Sequence, residues 1–296
     1  MMEGGFQKAM RRRARIVRAI RAFFDERGFV EVTTPVMIAA PAPEPHIDCP
    51  PCGDKFLRAS PELQMKKLLA AGMDKIYQIG PCFRDGERGS RHNPEFTMLE
   101  WYRLDATYRT IEEDTKTLLA YLLPIAQDGR TAQSSRHRAH GPQAPAITVS
   151  VREMYVKHAG WDPFSEWNQD RFDYDMATKI EPNLPSGFVF LMDYPCGAAS
   201  LAKIRDDVAE RWELYHNGLE LANCFTELCD GEEQRRRFFA AREERRLLGE
   251  SDYPIDEEFL ETLPLIKSAA GVALGIDRLV MALCGEGDIH SVMAGE

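Results

Sequence analysis

The chain has 296 residues, which is long enough to bury a full core in one large domain or two small ones. Its formal net charge of -10 argues against a protein whose main affinity comes from neutralising a nucleic-acid backbone, although an acidic chain can still hold a basic pocket. No apolar run is long enough to span a bilayer, so we expect no membrane partner.

The seven cysteines are odd in number and scattered along the chain, and no secretory hydrophobic segment follows the start. This pattern predicts a protein of the reducing cytoplasm. Cys49 and Cys52 form one CxxC pair, but no second ligand pair lies at zinc spacing, so the sequence disfavours a zinc site.

The first predicted element is an amphipathic helix over residues 8–27, followed by a strand over residues 29–32. The apolar residues of the helix recur at helical spacing: Ile16, Ile20, Phe23 and Phe24. The arginines around them form either a charged outer face, which is the commoner case, or a contact for RNA or an acidic partner. Gly28 ends the helix and Pro35 closes the strand. This order of elements suits a subunit contact.

A second helix is predicted to begin at Ser60-Pro61-Glu62 and to continue to Gly72, because serine before proline is a favoured helix start. The preceding residues 39–52 are rich in proline and alanine and should be irregular. Glu62 lies in the first turn of the helix, where an acidic side chain serves either as a capping charge or as a functional group.

Residues 75–103 are predicted to form two strands joined by a long polar loop. Alternation brings four residues of the second strand to one face: Phe96, Met98, Glu100 and Tyr102. Arg84 ends the first strand, and the loop carries further cationic groups: Arg88, Arg91 and His92. An anionic, planar ligand such as a nucleotide would use these groups, because guanidinium binds phosphate bidentately and a base can stack on Phe96. A solvated hairpin is the alternative.

Further helices are predicted over residues 111–125, 151–159 and 169–180, and a strand over residues 188–192. Residues 127–146 are polar and short of large apolar groups, which predicts a flexible loop.

Asn217-Gly218 is a strong hairpin signal. If it forms the turn, Tyr215 faces Glu220 and Glu213 faces Ala222, which makes the two glutamates diagonal neighbours on one face. Two adjacent carboxylates repel each other unless a cation lies between them. Mg²⁺ bound to nucleotide phosphates fits this site, because it takes one or two carboxylates plus phosphate oxygens. A pair of exposed acids is the alternative.

Three residues further along the same strand alternate with one another but are out of phase with Glu220: Asn223, Phe225 and Glu227. A bulge near Ala222 would bring both sets to one face.

The last predicted unit, over residues 271–281, is a strand of small residues that runs directly into a helix, after a charged helix over residues 231–248. Small residues permit close approach of a ligand to the backbone. Arg278 would stand at the positive end of the last helix, which makes this segment a candidate anion site.

Three of these stretches, in order along the chain, resemble the three motifs of class II aminoacyl-tRNA synthetases: GFVEVTTP, FRDGERGSRHNPEF and GVALGIDR. The segments HNPEFTMLEWYR and ELANCFTEL are similar to the lysyl branch of that family. A lysyl-tRNA synthetase carries an N-terminal anticodon-binding domain, whereas here the first catalytic-domain helix begins almost at Met1. The chain therefore resembles the stand-alone paralogues, the elongation factor P (R)-β-lysine ligases.

That resemblance implies an α+β fold with an antiparallel sheet flanked by helices, a single catalytic domain over residues 1–296, and a homodimer formed through the first motif. It implies an ATP-dependent ligase that uses Mg²⁺. ATP and lysine or β-lysine would first give an aminoacyl-adenylate and pyrophosphate, and the acyl group would then pass to a lysine amine of elongation factor P rather than to tRNA. Two alternatives are open: an enzyme that activates lysine and charges a small RNA or carrier, and a synthetase-like regulator without turnover.

The resemblance also assigns residues to an ATP site. Arg84 would bind the α-phosphate and the substrate carboxylate, while Phe96 and Arg278 would sandwich adenine and His92 would lie near the triphosphate. Arg84 and Arg278 are the predicted catalytic residues, because positive charge at the phosphates stabilises the displacement. The predicted metal ligands are Glu213 and Glu220.

An amino-acid pocket is implied in the same way: Ser60, Glu62, Glu100, Tyr102, Asn223, Phe225 and Glu227. Lysine and β-lysine each carry two ammonium groups, and three carboxylates in one partly desolvated site would fit such a dication and reject a neutral side chain. Ala273 stands where the synthetases usually have glycine and the ligase paralogues have alanine. We expect its methyl group to influence which position of the substrate amine is accepted.

Two positions depart from the family pattern. Gly86 stands where the second motif has glutamate, so Glu87, one place later, or the backbone would make the adenine contact instead. Cys224 stands where the lysyl branch has glycine, which would alter the pocket wall.

Overall fold

A large sheet with helices on both faces organises the part of the chain that the computed structural model describes, residues 2–128 and 145–294. The main strands, in spatial order, are β1 (Val30–Glu31), β5 (Lys75–Phe83), β6 (Glu95–Leu104), β12 (Ala269–Gly275), β11 (Leu219–Thr226), β10 (Val208–His216), β8 (Phe188–Pro195) and β7 (Ala146–Ser150). The outermost pairs, β1 with β5 and β7 with β8, are parallel, and the central pairs are antiparallel. This is the helix-flanked, largely antiparallel α+β arrangement that the sequence predicts.

Four short strands complete the β-structure of these residues. One of them, β9 (Ile204–Arg205), pairs with β10 in the large sheet. The other three form a small separate sheet: β2 (Met37–Ile38), β3 (Pro51–Cys52) and β4 (Lys55–Leu57).

Eight α-helices lie before, between and after these strands in the described part of the chain. They are α1 (Met2–Asp25), α2 (Glu62–Ala70), α3 (Tyr108–Asp128), α4 (Val151–Met154), α5 (Gln169–Asp175), α6 (Gly231–Leu248), α7 (Glu257–Thr262) and α8 (Ile276–Cys284). Single π-helical turns continue α4 and α5, over Tyr155–Ala159 and Met176–Ile180. Within the described residues, no helix combines the length and the apolar character needed to cross a bilayer.

Two hydrophobic clusters lie on opposite faces of the sheet. The first gathers α1, α3 and α8 against strand residues such as Trp101 and Cys224. The second gathers α2, α6 and α7 against the next residues along the same strands, Tyr102 and Phe225. Because successive side chains of a strand point to opposite faces, this alternation separates a closed core from the face that carries the candidate site.

The arginines of the first helix have a structural role in at least one case. Arg13 donates to the carboxylate of Asp277, a residue of α8, and to Thr97 Oγ1 at 2.9 Å. Asp277 also accepts from the Thr97 backbone N–H at 2.6 Å. Arg13 therefore fastens α1 to β6 and α8, and it does not belong to the charged outer face that the sequence favours.

The predicted hairpins are confirmed, with one change of register. Strands β5 and β6 pair from Lys75 opposite Arg103 to Phe83 opposite Glu95. In the second hairpin Tyr215 faces Glu220 as predicted, but Glu213 faces Asn223 instead of Ala222. Leu221 is the extra residue between these pairs, so the bulge predicted near Ala222 is present one residue earlier.

The structure corrects several predicted boundaries. The predicted loop over residues 127–146 overlaps the end of α3 and the start of β7, and residues 129–144 lie outside the described residues. Strand β7, which the sequence did not predict, pairs with β8 at the sheet edge. Strand β8 continues to Pro195 rather than ending at Met192, because residues beyond Met192 still pair with β10.

Candidate active site

A cavity of about 420 Å³ opens on the face of the sheet that carries Tyr102 and Phe225. Fourteen of the predicted site residues line it: Ser60, Glu62, Arg84, Glu87, His92, Phe96, Tyr102, Glu213, Glu220, Asn223, Phe225, Glu227, Ala273 and Arg278. Glu100 is the predicted residue that does not line the cavity. The structure thus brings together three segments that are separate in the chain, residues 60–102, 213–227 and 273–278.

Strand register explains why these residues meet. Ala273 on β12 lies opposite Glu100 on β6 and opposite Asn223 on β11. Two residues earlier, Gly271 lies opposite Tyr102, and a Cβ atom placed on it would lie 2.1 Å from Tyr102 Cδ1. Glycine at position 271 therefore allows the Tyr102 ring to lie across the neighbouring strand.

Arg84 provides an unpartnered cationic donor at the cavity wall. Its Nη1 lies 3.5 Å from Glu87 Oε1, and its guanidinium carbon lies 5.3 Å from the centre of the Phe96 ring. Its Nε is buried and has no hydrogen-bond partner in the described part of the chain. A buried donor without a partner is costly, so a bound anion such as phosphate or carboxylate would satisfy it.

Arg278 stands in the first turn of α8, where the sequence predicted it. Its Nε donates to the carbonyl oxygen of Arg91 at 3.1 Å, and its Nη1 donates to the carbonyl oxygen of Glu220 at 3.0 Å. These contacts fix the guanidinium beside the cavity. Burial and the nearby Arg278 charge lower the pKa of His92, so its imidazole is neutral near pH 7.

The carboxylates of Glu213 and Glu220 both face the cavity, but they differ in their contacts. Glu213 Oε2 accepts from the hydroxyls of Tyr194 and Tyr215, each at 2.6 Å, and Oε1 accepts from Arg211 Nη2 at 2.5 Å. Glu220 Oε2 has a looser ion pair with Arg278 Nη1 at 3.6 Å. Burial and the charge of Glu213 raise the pKa of Glu220.

These two carboxylates fit a divalent cation that draws its remaining ligands from elsewhere. Glu213 Oε1 accepts a single hydrogen bond and keeps a lone pair, and Glu220 is partly exposed to the cavity. Residues 2–128 and 145–294 contain no group of three or more His, Cys, Asp or Glu side chains suited to a metal. Phosphate and water oxygens would therefore have to complete the coordination of Mg²⁺.

A buried lysine, which sequence analysis missed, joins two of the predicted substrate carboxylates. Lys66 Nζ lies 2.5 Å from Glu62 Oε1 and 2.5 Å from Glu227 Oε2, and its side chain is 1% exposed. Burial alone would lower the pKa of Lys66, but Glu227 and Glu62 raise it above its ordinary value. We assign an ammonium to Lys66 and carboxylates to its partners, because one ammonium can donate to both oxygens.

The predicted charge of Glu100 needs correction. Its side chain is fully buried behind Tyr102, whose hydroxyl donates to Glu100 Oε2 at 2.9 Å. Burial and the charge of Glu62 raise the pKa of Glu100 to about 8. Glu100 is therefore largely protonated at neutral pH, and it supports Tyr102 instead of offering a negative charge to the cavity.

The two departures from the family pattern also have structural outcomes. Gly86 has a φ of +76°, a conformation that glycine adopts readily and other residues rarely, and Glu87 lies beside Arg84. Cys224 points into the core on the opposite face of the sheet, so the prediction that it alters the pocket wall is wrong. Strand alternation between Asn223 and Phe225 is the reason, and it was visible in the sequence.

Three cavity or near-cavity residues were missed at the sequence level, for different reasons. Lys66 follows Glu62 by four residues on a helix, a spacing that predicts contact. Arg211 precedes Glu213 by two residues on one strand, which places both on one face. Glu44 lies in the irregular proline-rich segment, where no periodicity indicates which side chains turn inward.

Comparison with known proteins gives consistent matches over nearly the whole chain. Residues 1–294 match the family described as tRNA synthetases class II (D, K and N). A protein from Mannheimia succiniciproducens named elongation factor P–(R)-β-lysine ligase is 35% identical, over 97% of this chain and 94% of the relative. Proteins of the same name from Proteus mirabilis and Vibrio cholerae are 38% and 37% identical, over 96% of this chain and 93% and 94% of the relatives.

Proposed function

This chain belongs to the class II tRNA synthetase family and, within it, to the elongation factor P–(R)-β-lysine ligases, and on that basis we propose that it acylates elongation factor P. The protein is an ATP-dependent ligase. In the first step, a carboxylate oxygen of (R)-β-lysine or lysine attacks the α-phosphorus of ATP, which forms the aminoacyl-adenylate and releases pyrophosphate. In the second step, a lysine amine of elongation factor P attacks the acyl carbon, which forms an amide and releases AMP and a proton.

The observation that carries this proposal is the division of charge around one cavity. Arg84 Nε is a buried donor without a partner in the described part of the chain, and its guanidinium lies beside the aromatic ring of Phe96. Another part of the wall carries Glu62 and Glu227, which are acids suited to an ammonium group. One cavity can therefore hold a phosphate, a planar base and an amine together.

We assign the nucleotide contacts to residues around Arg84. This arginine would bridge the α-phosphate and the substrate carboxylate, which aligns the two groups for attack. Phe96 and Arg278 would hold adenine between them, and the neutral imidazole of His92 would lie near the triphosphate. Glu87 takes the place of the family glutamate that is absent at Gly86.

Mg²⁺ would be held by Glu213 and Glu220 together with phosphate oxygens. When bound, it would neutralise part of the triphosphate charge. Tyr194, Tyr215 and Arg211 keep the Glu213 carboxylate in one orientation. This fixed orientation would prepare the nucleotide site before ATP arrives.

The amino-acid pocket lies along β6, β11 and β12. Asn223, Phe225 and Tyr102 would surround the aliphatic chain of the substrate, and Glu62 and Glu227, with Ser60, would receive its distal amine. Ala273 lies between the two neighbouring strands at the cavity wall. Its methyl group would limit the space near the substrate amine.

Pyrophosphate exchange tests the first step. The wild-type protein should exchange labelled pyrophosphate into ATP with (R)-β-lysine or L-lysine and not with norleucine, which lacks the distal amine. Arg84→Ala should reduce the exchange rate by about 100-fold or more, since a donor to a developing charge contributes that much. Arg88→Ala is the matched control, because Arg88 is exposed on the same loop and does not line the cavity.

Acyl transfer tests the acceptor. After activation, labelled amino acid should appear on elongation factor P and not on tRNA. Transfer only to a small RNA or another carrier would show that elongation factor P is not the acceptor. The proposed activation step would still stand. Absence of exchange with every amino acid would favour a regulator without turnover.

We also propose a homodimer formed through the segment that follows α1. Val30 and Met37 there are each 50% exposed, although both are large and apolar. A partner subunit would cover them. Sedimentation should show a dimer, and Val30→Asp with Met37→Asp should shift it toward monomer. Leu247→Asp is the control, because Leu247 is an exposed leucine on a different element, α6.

A further inference from the structure

The charges of the amino-acid pocket do not balance with the predicted residues alone. Lysine and β-lysine each bring two ammonium groups. Glu62 and Glu227 supply at most two negative charges, because burial raises the pKa of Glu227 to about 7, and Lys66 cancels one of them. Glu100 is largely neutral near pH 7, because burial raises its pKa to about 8. One net negative charge therefore faces two ammonium groups, and a further anion is needed.

Among the described residues, Glu44 is the cavity acid whose carboxylate has no partner. The other acids of the cavity wall all have ion pairs: Glu62, Glu87, Glu213, Glu220, Glu227 and Asp277. Within the described residues, the carboxylate of Glu44 has no hydrogen bond or ion pair, although its side chain is only partly exposed and lines the cavity. Burial and the charge of Glu62 raise the pKa of Glu44.

Hydrogen bonds fix the backbone around Glu44, whereas its carboxylate has no partner within the described residues. Arg245, whose side chain is fully buried, donates to the carbonyl oxygens of Glu44 at 2.8 Å and Ile47 at 2.9 Å, and to Asp48 Oδ1 at 2.6 Å. The Asp85 N–H donates to the carbonyl oxygen of Asp48 at 2.8 Å, which ties this segment to the loop that carries Arg84. A carboxylate that is unpaired within the described residues and carried by a fixed backbone is preorganised to bind a ligand.

The position of Glu44 indicates which amine it would meet. A small cleft beside the main cavity is lined by Glu44, Ser60 and Glu62 together. Glu44 also lies four residues before Asp48, whose carbonyl oxygen accepts from the N–H of Asp85, the residue next to Arg84, and Arg84 would hold the substrate carboxylate. Glu44 therefore lies toward the carboxylate end of the bound amino acid.

We infer that Glu44 is a specificity-determining residue whose carboxylate binds the substrate ammonium nearest the reacting carboxylate, at the α or β carbon. This inference rests on the proposed function and extends it, because it assigns the second ammonium of the substrate to a residue outside the three family motifs. When its carboxylate is ionised beside a bound ammonium, Glu44 adds one negative charge to those of Glu62 and Glu227, one of which Lys66 cancels.

Glu44→Gln is the test variant, and pyrophosphate exchange with L-lysine and (R)-β-lysine is the assay. We expect kcat/KM for both amino acids to fall by about 10- to 100-fold, mainly through KM, since a hydrogen bond to a charged group contributes that much. The KM for ATP should not change. Glu44→Asp should recover part of the loss, because it keeps the charge. Asp54→Asn should behave as wild type, because Asp54 is an exposed acid outside the cavity.

A competing ligand identifies the amine. 6-Aminohexanoic acid lacks the amine near the carboxylate, so its inhibition constant should change less than about threefold in Glu44→Gln. The melting temperature should also stay within a few degrees of wild type, because the Glu44 carboxylate has no partner to lose.

Three results would overturn the inference. Unchanged kcat/KM for both amino acids in Glu44→Gln would show that Glu44 does not bind the substrate. An equal loss for 6-aminohexanoic acid would show that the effect is not specific to the proximal amine. If the wild-type protein itself exchanged with neither amino acid, the proposed function would fail and this inference with it.

Discussion

Replacing Lys66 by methionine should test the buried charge network beneath the amino-acid pocket. Lys66 Nζ lies 2.5 Å from an oxygen of Glu62 and 2.5 Å from an oxygen of Glu227. Methionine fills a similar unbranched volume but carries no charge. The variant would leave two carboxylates facing each other at the base of the cavity.

The size of the effect follows from the burial of the three side chains. Removing one partner from a buried ion pair costs about 3–5 kcal/mol, because the remaining charge is left without compensation. Glu227 is 2% exposed, whereas Glu62 is 13% exposed and can be partly hydrated. Glu227 can also take up a proton, since burial raises its pKa. We therefore expect the lower end, about 3 kcal/mol, or roughly 6–12 °C in melting temperature at about 2–4 °C per kcal/mol.

Thermal unfolding followed by circular dichroism at pH 7 measures this loss, with Lys67→Met as the control. Lys67 is the next residue of the same helix, and its side chain is 23% exposed and pairs with Asp256 and Glu258. Its replacement should cost no more than about 1 kcal/mol, as for other solvent-screened pairs. Equal melting temperatures for the two variants would refute the assignment of a charged, buried network at Lys66.

Three further predictions concern the pocket. Glu100→Gln should gain stability relative to wild type as pH rises from 4.5 to 8, by at most about 5 kcal/mol. The reason is that Glu100 keeps its proton in the folded state, where its pKa is about 8, and releases it when unfolded. Parallel pH profiles of the free energy of unfolding, measured by denaturant titration, would contradict this prediction. Gly271→Ala should displace the Tyr102 ring, because the ring lies 2.1 Å from the new Cβ position. In exchange assays, the KM for the amino acid should rise tenfold or more, and the KM for ATP should stay the same. Ala273→Gly should change the ratio of lysine to β-lysine activation. An unchanged ratio would show that Ala273 does not determine which amine position is accepted.

The hairpins and most of the residues that line the cavity could be predicted from the order of residues along the chain. The alternation in residues 75–103 and the Asn217-Gly218 turn depend on neighbours in the chain, so local geometry was enough to predict them. The resemblance to family motifs then assembled residues from distant segments. Glu100 is the one predicted residue that lies behind the cavity wall instead of in it.

The charge states of the site depend on tertiary packing and could not be predicted from local patterns. Whether Glu100 holds a proton depends on burial behind Tyr102, which no local pattern encodes. The pairing of Lys66 with Glu227 joins α2 to the residue that follows β11, far away in the chain. Glu44 faces the cavity because Arg245, two hundred residues later, holds the irregular segment in place. The sequence predicts which groups are present, whereas packing and the low dielectric of the interior decide which of them remain charged and free for a ligand.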